Sequence, residues 1–232
     1  MNVNVSVTAR AAARLLLSGE MDLTGHWPDR MAEEVLEKLL RLPVEELIEI
    51  ADWSPCGMVA DVKEIPQFAK IEMVEKVPAY FTQTGQPSVD YAQLGFYLRG
   101  DQAAKLDAKI KFGENHGKGA ALLGLAVCTN ARIRPSSLSG VFAALPLERQ
   151  RALSRRLLFR IPTVQILLRS AGQGRVNGFA PLVQLSWSTM KRRSQSVKRI
   201  FQELERLENP ALCARIERIY WDEEEVLTNA AI

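Results

Sequence analysis

The chain has 232 residues, of which 47% are hydrophobic and 25% charged, so its composition is that of a globular protein and excludes intrinsic disorder. The formal net charge of +3 selects no class of partner by itself. Cys56, Cys128 and Cys213 are far apart and lack CxxC spacing, which predicts a cytoplasmic protein with neither a disulfide framework nor a zinc ribbon.

The charges are unevenly distributed along the chain. Residues 1–65 carry 6 Lys and Arg against 12 Asp and Glu, whereas residues 132–202 carry 14 against a single acid, Glu148. Residues 203–232 are acidic again, with 3 against 8. A basic block attracts a polyanion without regard to its sequence, because each phosphate that it neutralises releases counterions. We therefore expect the cations of residues 132–202 to converge on one polyanion-binding surface.

The acidic N-terminal part, residues 1–65, is predicted to be a small helical module. Apolar residues recur at helical spacing in Val7–Leu17 and again before Leu42. Pro28 and Pro43 stand where a second and a third helix can begin.

The next stretch, residues 66–88, is predicted to be a connector because proline and glycine punctuate it. Within it, Phe68–Val77 can be either a strand or a short helix. No part of the chain has the pattern of a signal peptide or the apolar length of a membrane span, so no membrane association is expected.

Residues 89–146 are predicted to form a first winged helix-turn-helix unit. The predicted order is a helix or strand over Val89–Leu98, then a helix, a second short helix, a strand, a turn, a strand and a helix. Gly113 is expected to end the amphipathic helix Asp101–Phe112, and Asn115 to cap the short helix that follows. The wing is expected within residues 126–133, with its turn at residues 129 and 130.

Residues 147–210 are predicted to form a second unit around one long helix. Ser188 can accept a hydrogen bond from a helix start, which predicts a helix over Thr189–Leu207. A supporting helix is predicted before it within Val176–Val183, and Pro181 favours a start near Gly178. Apolar residues share one side of the long helix. The side chains predicted on its other side are Lys191, Arg192, Gln195, Lys198, Arg199 and Gln202.

The C-terminal part, residues 211–232, is predicted to contain one more helix and an acidic tail. The acidic run at residues 222–225 can be a solvated tail, or it can shield the basic block or dock a basic partner.

The sequence ALLGLAVCTNARIRPSSLSGVFAAL resembles the common winged-helix pattern, and RIPTVQILL leading into LSWSTMKRRSQSVKRI is the most distinctive stretch. The span 89–207 is similar to tandem winged helix-turn-helix segments of ATPase-associated and restriction-modification accessory proteins. This resemblance implies two winged-helix-like units with small β wings. With the helical N-terminal module that precedes them, the predicted fold class is mainly α. The resemblance also implies a DNA-binding role, as a transcription regulator or as the recognition subunit of a defence or restriction system.

The predicted partner is therefore double-stranded DNA, bound by a protein that can also form a homodimer or join an ATPase or nuclease partner. The residues predicted to contact DNA are Lys118, Arg132, Arg134, Thr189, Lys191, Arg192, Arg193, Gln195, Lys198 and Arg199. Winged helices also bind proteins, so a non-enzymatic adaptor is the alternative hypothesis.

Motifs for catalysis are missing from the sequence. The glycine-rich stretch 113–119 lacks the order of a phosphate-binding P-loop, and no nucleophile or zinc-hydrolase motif occurs. The remaining enzyme hypothesis is a magnesium-dependent nuclease, because four acids lie near one lysine: Asp52, Asp61, Glu64, Glu72 and Lys63. The sequence favours binding over catalysis and predicts neither a cofactor nor a metal site.

Overall fold

The computed structural model describes residues 9–68, 70–100 and 105–225, which are mainly helical with small sheets. This confirms the predicted mainly α fold class. Residues 7, 8, 101–104 and 226–232, which belong to the predicted first helix, the predicted amphipathic helix and the acidic tail, lie outside the described residues. None of the helices that the model describes is long and apolar enough to cross a membrane.

Three helices form the described part of the N-terminal region, residues 9–65, and the sequence predicted all three. They are α1 (Ala9–Ser18), α2 (Asp29–Arg41) and α3 (Val44–Asp52). Pro28 and Pro43 directly precede α2 and α3, where a fixed φ and a missing N–H are tolerated. The apolar stripes of the three helices face the core, where Leu16, Leu39 and Leu47 are fully buried.

The central part alternates helices with a three-stranded sheet. Its elements are α4 (Ile71–Thr84), β1 (Val89–Asp90), α5 (Tyr91–Arg99), α6 (Leu106–Leu122), β2 (Ala126–Thr129), β3 (Arg132–Pro135) and α7 (Ser139–Ala144). Strand β3 lies in the middle and pairs antiparallel with both neighbours. The β2–β3 turn uses Asn130 and Ala131, both with positive φ, one residue beyond the predicted position.

Helix α6 continues through Gly113, where the sequence predicted a break. A Cβ at Gly113 would lie 2.0 Å from the Tyr91 carbonyl oxygen, and a Cβ at Gly95 would lie 1.9 Å from the Lys109 carbonyl oxygen. The backbones of α5 and α6 therefore touch, and close packing offsets the penalty of about 1 kcal/mol that glycine imposes on a helix. Asn115 accordingly lies inside α6 and caps nothing.

Further helices and two short strands make up the described part of the C-terminal half. They are α8 (Leu147–Leu157), α9 (Pro162–Gln173), β4 (Val176–Asn177), α10 (Trp187–Glu205), α11 (Pro210–Ile216) and β5 (Ile219–Tyr220). Pro162 opens α9, and α8 ends before it because the residue that precedes a proline avoids helical geometry. Strands β4 and β5 pair in parallel, so the described part of residues 147–210 contains no antiparallel wing.

The predicted supporting helix at residues 178–183 is wrong. Only one 3-10 turn, Ala180–Leu182, forms there. Pro181 cannot donate a helical hydrogen bond, and Gly178 lies so close to Trp221 that a Cβ would come within 2.6 Å of its indole ring. The following helix begins at Trp187, two residues earlier than predicted.

The buried apolar side chains form one large cluster. It contains residues from α1 (Ala13) to β5 (Ile219) and includes the central sheet through Ile133. A smaller cluster joins the 60–65 segment to α9, to the 3-10 turn at 180–182 and to the start of α10. The acidic N-terminal helices therefore share a core with the basic half of the chain.

Candidate nucleic-acid interface

Helix α10 has the amphipathic arrangement that its sequence predicts. Its buried side contains Met190, Val197, Ile200, Phe201 and Leu204. Its exposed side chains on the opposite face are Lys191, Arg192, Gln195, Arg199 and Gln202. No Asp or Glu occurs between Trp187 and Gln202. The exposed face is therefore basic and amide-bearing along about four turns.

Arg193 does not belong to this exposed face. Its side chain is 8% exposed, and its Nη1 donates to the Val62 carbonyl oxygen. Its Nε is buried without a hydrogen-bond partner. Burial, with a smaller contribution from the neighbouring charge of Arg192, lowers the pKa of Arg193. Helical periodicity explains the difference, because position 193 lies on the same side as Val197 and Ile200.

The start of α10 also differs from the prediction. Ser186 precedes the helix, and its hydroxyl donates to Oγ1 of Thr189 at 3.0 Å instead of accepting from a backbone N–H. The first turn contains no acid. Thr189 is half-buried in the first turn of the helix. The backbone N–H groups at this helix start therefore have no side-chain cap.

Two lysines of α10 contact the C-terminal segment. Lys191 Nζ lies 3.0 Å from Oε2 of Glu223, and Lys198 Nζ lies 4.9 Å from the centre of the Trp221 ring. Positions 191 and 198 are two helical turns apart and mark the same edge of the helix.

Lys118 lies on α6 and is paired within its own helix. Its Nζ is 2.7 Å from Glu114, which also binds Lys111 at 2.7 Å, and both contacts lower the pKa of Glu114. Lys118 and Arg193 both line a cleft of about 250 Å³, together with Lys63 and Asp61. This cleft is where two predicted residues from distant parts of the chain come together.

Arg132 and Arg134 lie on the outer face of the hairpin. Ile133 between them is buried against Gly117 of α6, so the alternation of a strand directs both arginines away from that helix. Arg132 Nε donates to the Ser88 hydroxyl at 3.0 Å. Arg134 is exposed. The sheet therefore separates these two residues from Lys118.

Much of the basic block serves the fold. Arg160 donates to the carbonyl oxygens of Leu16, Ala121 and Leu122 at 2.8–3.1 Å, and burial lowers its pKa. Arg156 and Arg169 likewise donate to backbone carbonyls, while Arg149 pairs with Glu37 and Arg155 with Glu203. The expectation that all cations of residues 132–202 converge on one surface is therefore wrong. The exposed cations of α10 are the part of the basic block that shares one face.

Three of the four acids of the nuclease hypothesis, Asp52, Asp61 and Glu64, have structural partners. Asp52 receives two hydrogen bonds from Arg215 of α11. Asp61 and Glu64 form a capping box around the 3-10 turn Val62–Glu64, in which Asp61 accepts from the Lys63 N–H at 3.0 Å. Within the part of the chain that the model describes, no group of three or more His, Cys, Asp or Glu could hold a metal ion.

Glu75 is a buried acid that sequence analysis missed. It lines a polar cavity of about 110 Å³ between α4, α8 and α10, and its Oε1 has no hydrogen-bond partner. Ser154 Oγ lies nearby without bonding geometry. Burial is the main cause that raises the pKa of Glu75, and Glu72 and Glu203 add to it, while Ser154 and Arg151 oppose it. Its position among the apolar residues of α4 was the available sequence signal.

Comparison of the chain with protein-family models, with curated proteins and with solved structures finds no match. Of the predicted residues, those with exposed side chains are Arg132, Arg134, Lys191, Arg192, Gln195 and Arg199.

Proposed function

We propose that the protein binds double-stranded DNA through the exposed face of α10. The observation that supports this proposal is that α10 contains no Asp or Glu between Trp187 and Gln202, where its exposed face presents Arg192, Gln195 and Arg199. The guanidinium group of arginine donates paired hydrogen bonds to phosphates and to guanine edges, and the amide of glutamine pairs with adenine edges. A helix carrying these groups meets the chemical requirements of the major groove.

The arrangement of residues 89–146 supports the same proposal. Helices α5 and α6 are followed by the β2–β3 hairpin and by α7, which is the order expected for a winged helix-turn-helix. We propose that this hairpin is a wing whose outer arginines, Arg132 and Arg134, contact the phosphate backbone. In residues 147–210, α10 is proposed as the DNA-reading helix without a wing of its own. A transcription regulator or a recognition subunit of a defence or restriction system would use such a surface.

Charge reversal on α10 tests the proposal. The variant Arg192→Glu/Arg199→Glu should weaken binding to a labelled duplex at least tenfold, because about two phosphate contacts are lost, and should flatten the dependence of log K on log salt by about 2. The matched control is Arg14→Glu/Arg30→Glu, which changes the net charge equally at exposed positions of α1 and α2. Equal weakening by both variants would mean that net charge, rather than α10, controls binding.

A second candidate function is protein binding, and the segment between α3 and α4 favours it. Trp53 is 75% exposed and Met58 64% exposed, and Val59 and Val62 are exposed nearby. Exposed apolar groups of this size mark interaction sites in proteins. A second copy of the chain is the occupant to test. Sedimentation velocity of the wild type and of Trp53→Ser/Met58→Ser should then show a dimer and a monomer, and a wild-type monomer would exclude self-association.

A further inference from the structure

The C-terminal segment Ile219–Glu225, here called the acidic strap, lies along one edge of the proposed DNA-binding face. Its first part is firmly attached. Strand β5 pairs with β4, and the Asn177 amide donates to the Asp222 carbonyl oxygen at 2.8 Å. Trp221 packs edge-on against Phe179, with ring centres 5.3 Å apart.

The second part of the strap places the carboxylate of Glu223 beside Lys191 of α10. Glu223 pairs with Lys191, while Glu225 accepts hydrogen bonds from Asn177 Nδ2 at 3.0 Å and from the Tyr220 hydroxyl at 2.8 Å. Trp221, from the attached part, covers Lys198. The strap thus occupies both lysines at the edge of α10.

The contact between the strap and α10 is weak enough to be displaced. The side chains of Lys191 and Glu223 are 56% and 43% exposed, and ion pairs this accessible to water contribute at most about 1 kcal/mol. A duplex offers Lys191 several phosphates at once, with release of counterions. The attached part keeps the carboxylates near α10 whether or not DNA is bound, so they compete at high local concentration.

We propose that the acidic strap is an autoinhibitory element that competes with DNA phosphates for Lys191 and repels the duplex from the edge of α10. This inference rests on the proposed function, because the strap regulates that same face. It implies that the wild-type protein binds DNA more weakly, and with a smaller dependence on salt, than its exposed cations allow.

Neutralising the carboxylates tests the inference in the full-length chain. In Glu223→Gln/Glu224→Gln/Glu225→Gln, the glutamine amides keep acceptors for Asn177 and Tyr220 while the negative charge is removed. Binding to a labelled duplex should tighten about two- to fivefold through the freed lysine alone, and the slope of log K against log salt should steepen by about 1. The charge-matched control carries Glu20→Gln, Glu33→Gln and Glu34→Gln, at exposed positions of the N-terminal part.

The outcomes separate the strap from the proposed function. Tighter binding by the strap variant than by the control supports both the autoinhibitory strap and the DNA-binding function. The same conclusion holds if the wild type does not bind measurably. Equal binding by the wild type, the strap variant and the control overturns the strap and leaves the DNA-binding function standing. No duplex binding by any of the three overturns both, and circular dichroism of each variant verifies that it is folded.

Discussion

Arg215 of α11 donates to both carboxylate oxygens of Asp52 at the end of α3, across 163 positions of sequence, with Nη2 to Oδ2 at 2.8 Å. The two side chains are only 21% and 32% exposed. This paired contact joins the C-terminal helix to the acidic N-terminal helices. Two-point arginine–carboxylate contacts are stronger than single ones and more selective in geometry.

A double-mutant cycle measures this contact. Asp52→Asn, Arg215→Met and the double variant, unfolded in urea, should give a coupling free energy of about 1–2 kcal/mol. The comparison pair is Glu34 with Lys38 in α2, an i,i+4 pair for which we expect about 0.5 kcal/mol or less. A coupling for Asp52 and Arg215 no larger than this would show that their contact does not stabilise the fold.

Because the backbones of α5 and α6 touch at Gly113, we expect any side chain at this position to destabilise the fold. Gly113→Ala should lower the free energy of unfolding by at least about 2 kcal/mol, because its Cβ would overlap backbone atoms that cannot move independently. Gly140→Ala in α7 is the matched control, since nothing lies within 4 Å of its Cβ position. The control should be neutral or stabilising by up to about 1 kcal/mol, as alanine favours a helix. Similar urea midpoints for both variants would contradict the backbone contact.

Arg160 donates hydrogen bonds to three backbone carbonyl oxygens, which predicts a structural role for its side chain. Arg160→Met should lower the free energy of unfolding by about 3 kcal/mol, because buried acceptors at the ends of α1 and α6 lose their donor. Arg134→Met, at an exposed position of the hairpin, should change stability by about 0.5 kcal/mol or less. Equal losses in thermal or urea unfolding would assign the effect to charge rather than to the carbonyl contacts.

Glu75 predicts a specific dependence of stability on pH. Its pKa in the folded protein is raised above the ordinary value of 4.5, so the folded state holds this proton more tightly than the unfolded state. Its contribution to stability is therefore greatest below 4.5, falls as pH rises towards the raised value, and then stays constant. Glu75→Gln should remove this decline and be more stable than the wild type at pH 7. Parallel stability curves for the two proteins between pH 4 and 8 would contradict it.

The sequence alone was sufficient for helices α1, α2, α3 and α10 and for their buried sides. These signals are local in the sequence. They are the apolar periodicity of α2 and α10 and the prolines before α2 and α3, and they can be recognised without knowledge of the rest of the chain. The short strands β2 and β3 were also predicted, since a two-residue turn between them is a local signal.

The roles of the charged residues and of Gly113 were decided by the tertiary structure. The sequence does not distinguish an arginine that is exposed to solvent from one that, like Arg160, donates to a carbonyl oxygen 144 positions away. Gly113 looked like a helix break because the close approach of α5 is visible only after folding. Periodicity depends on neighbours along one helix, whereas the environment of a charge depends on elements that are distant in sequence, and those contacts determine which cations remain on the exposed face of α10.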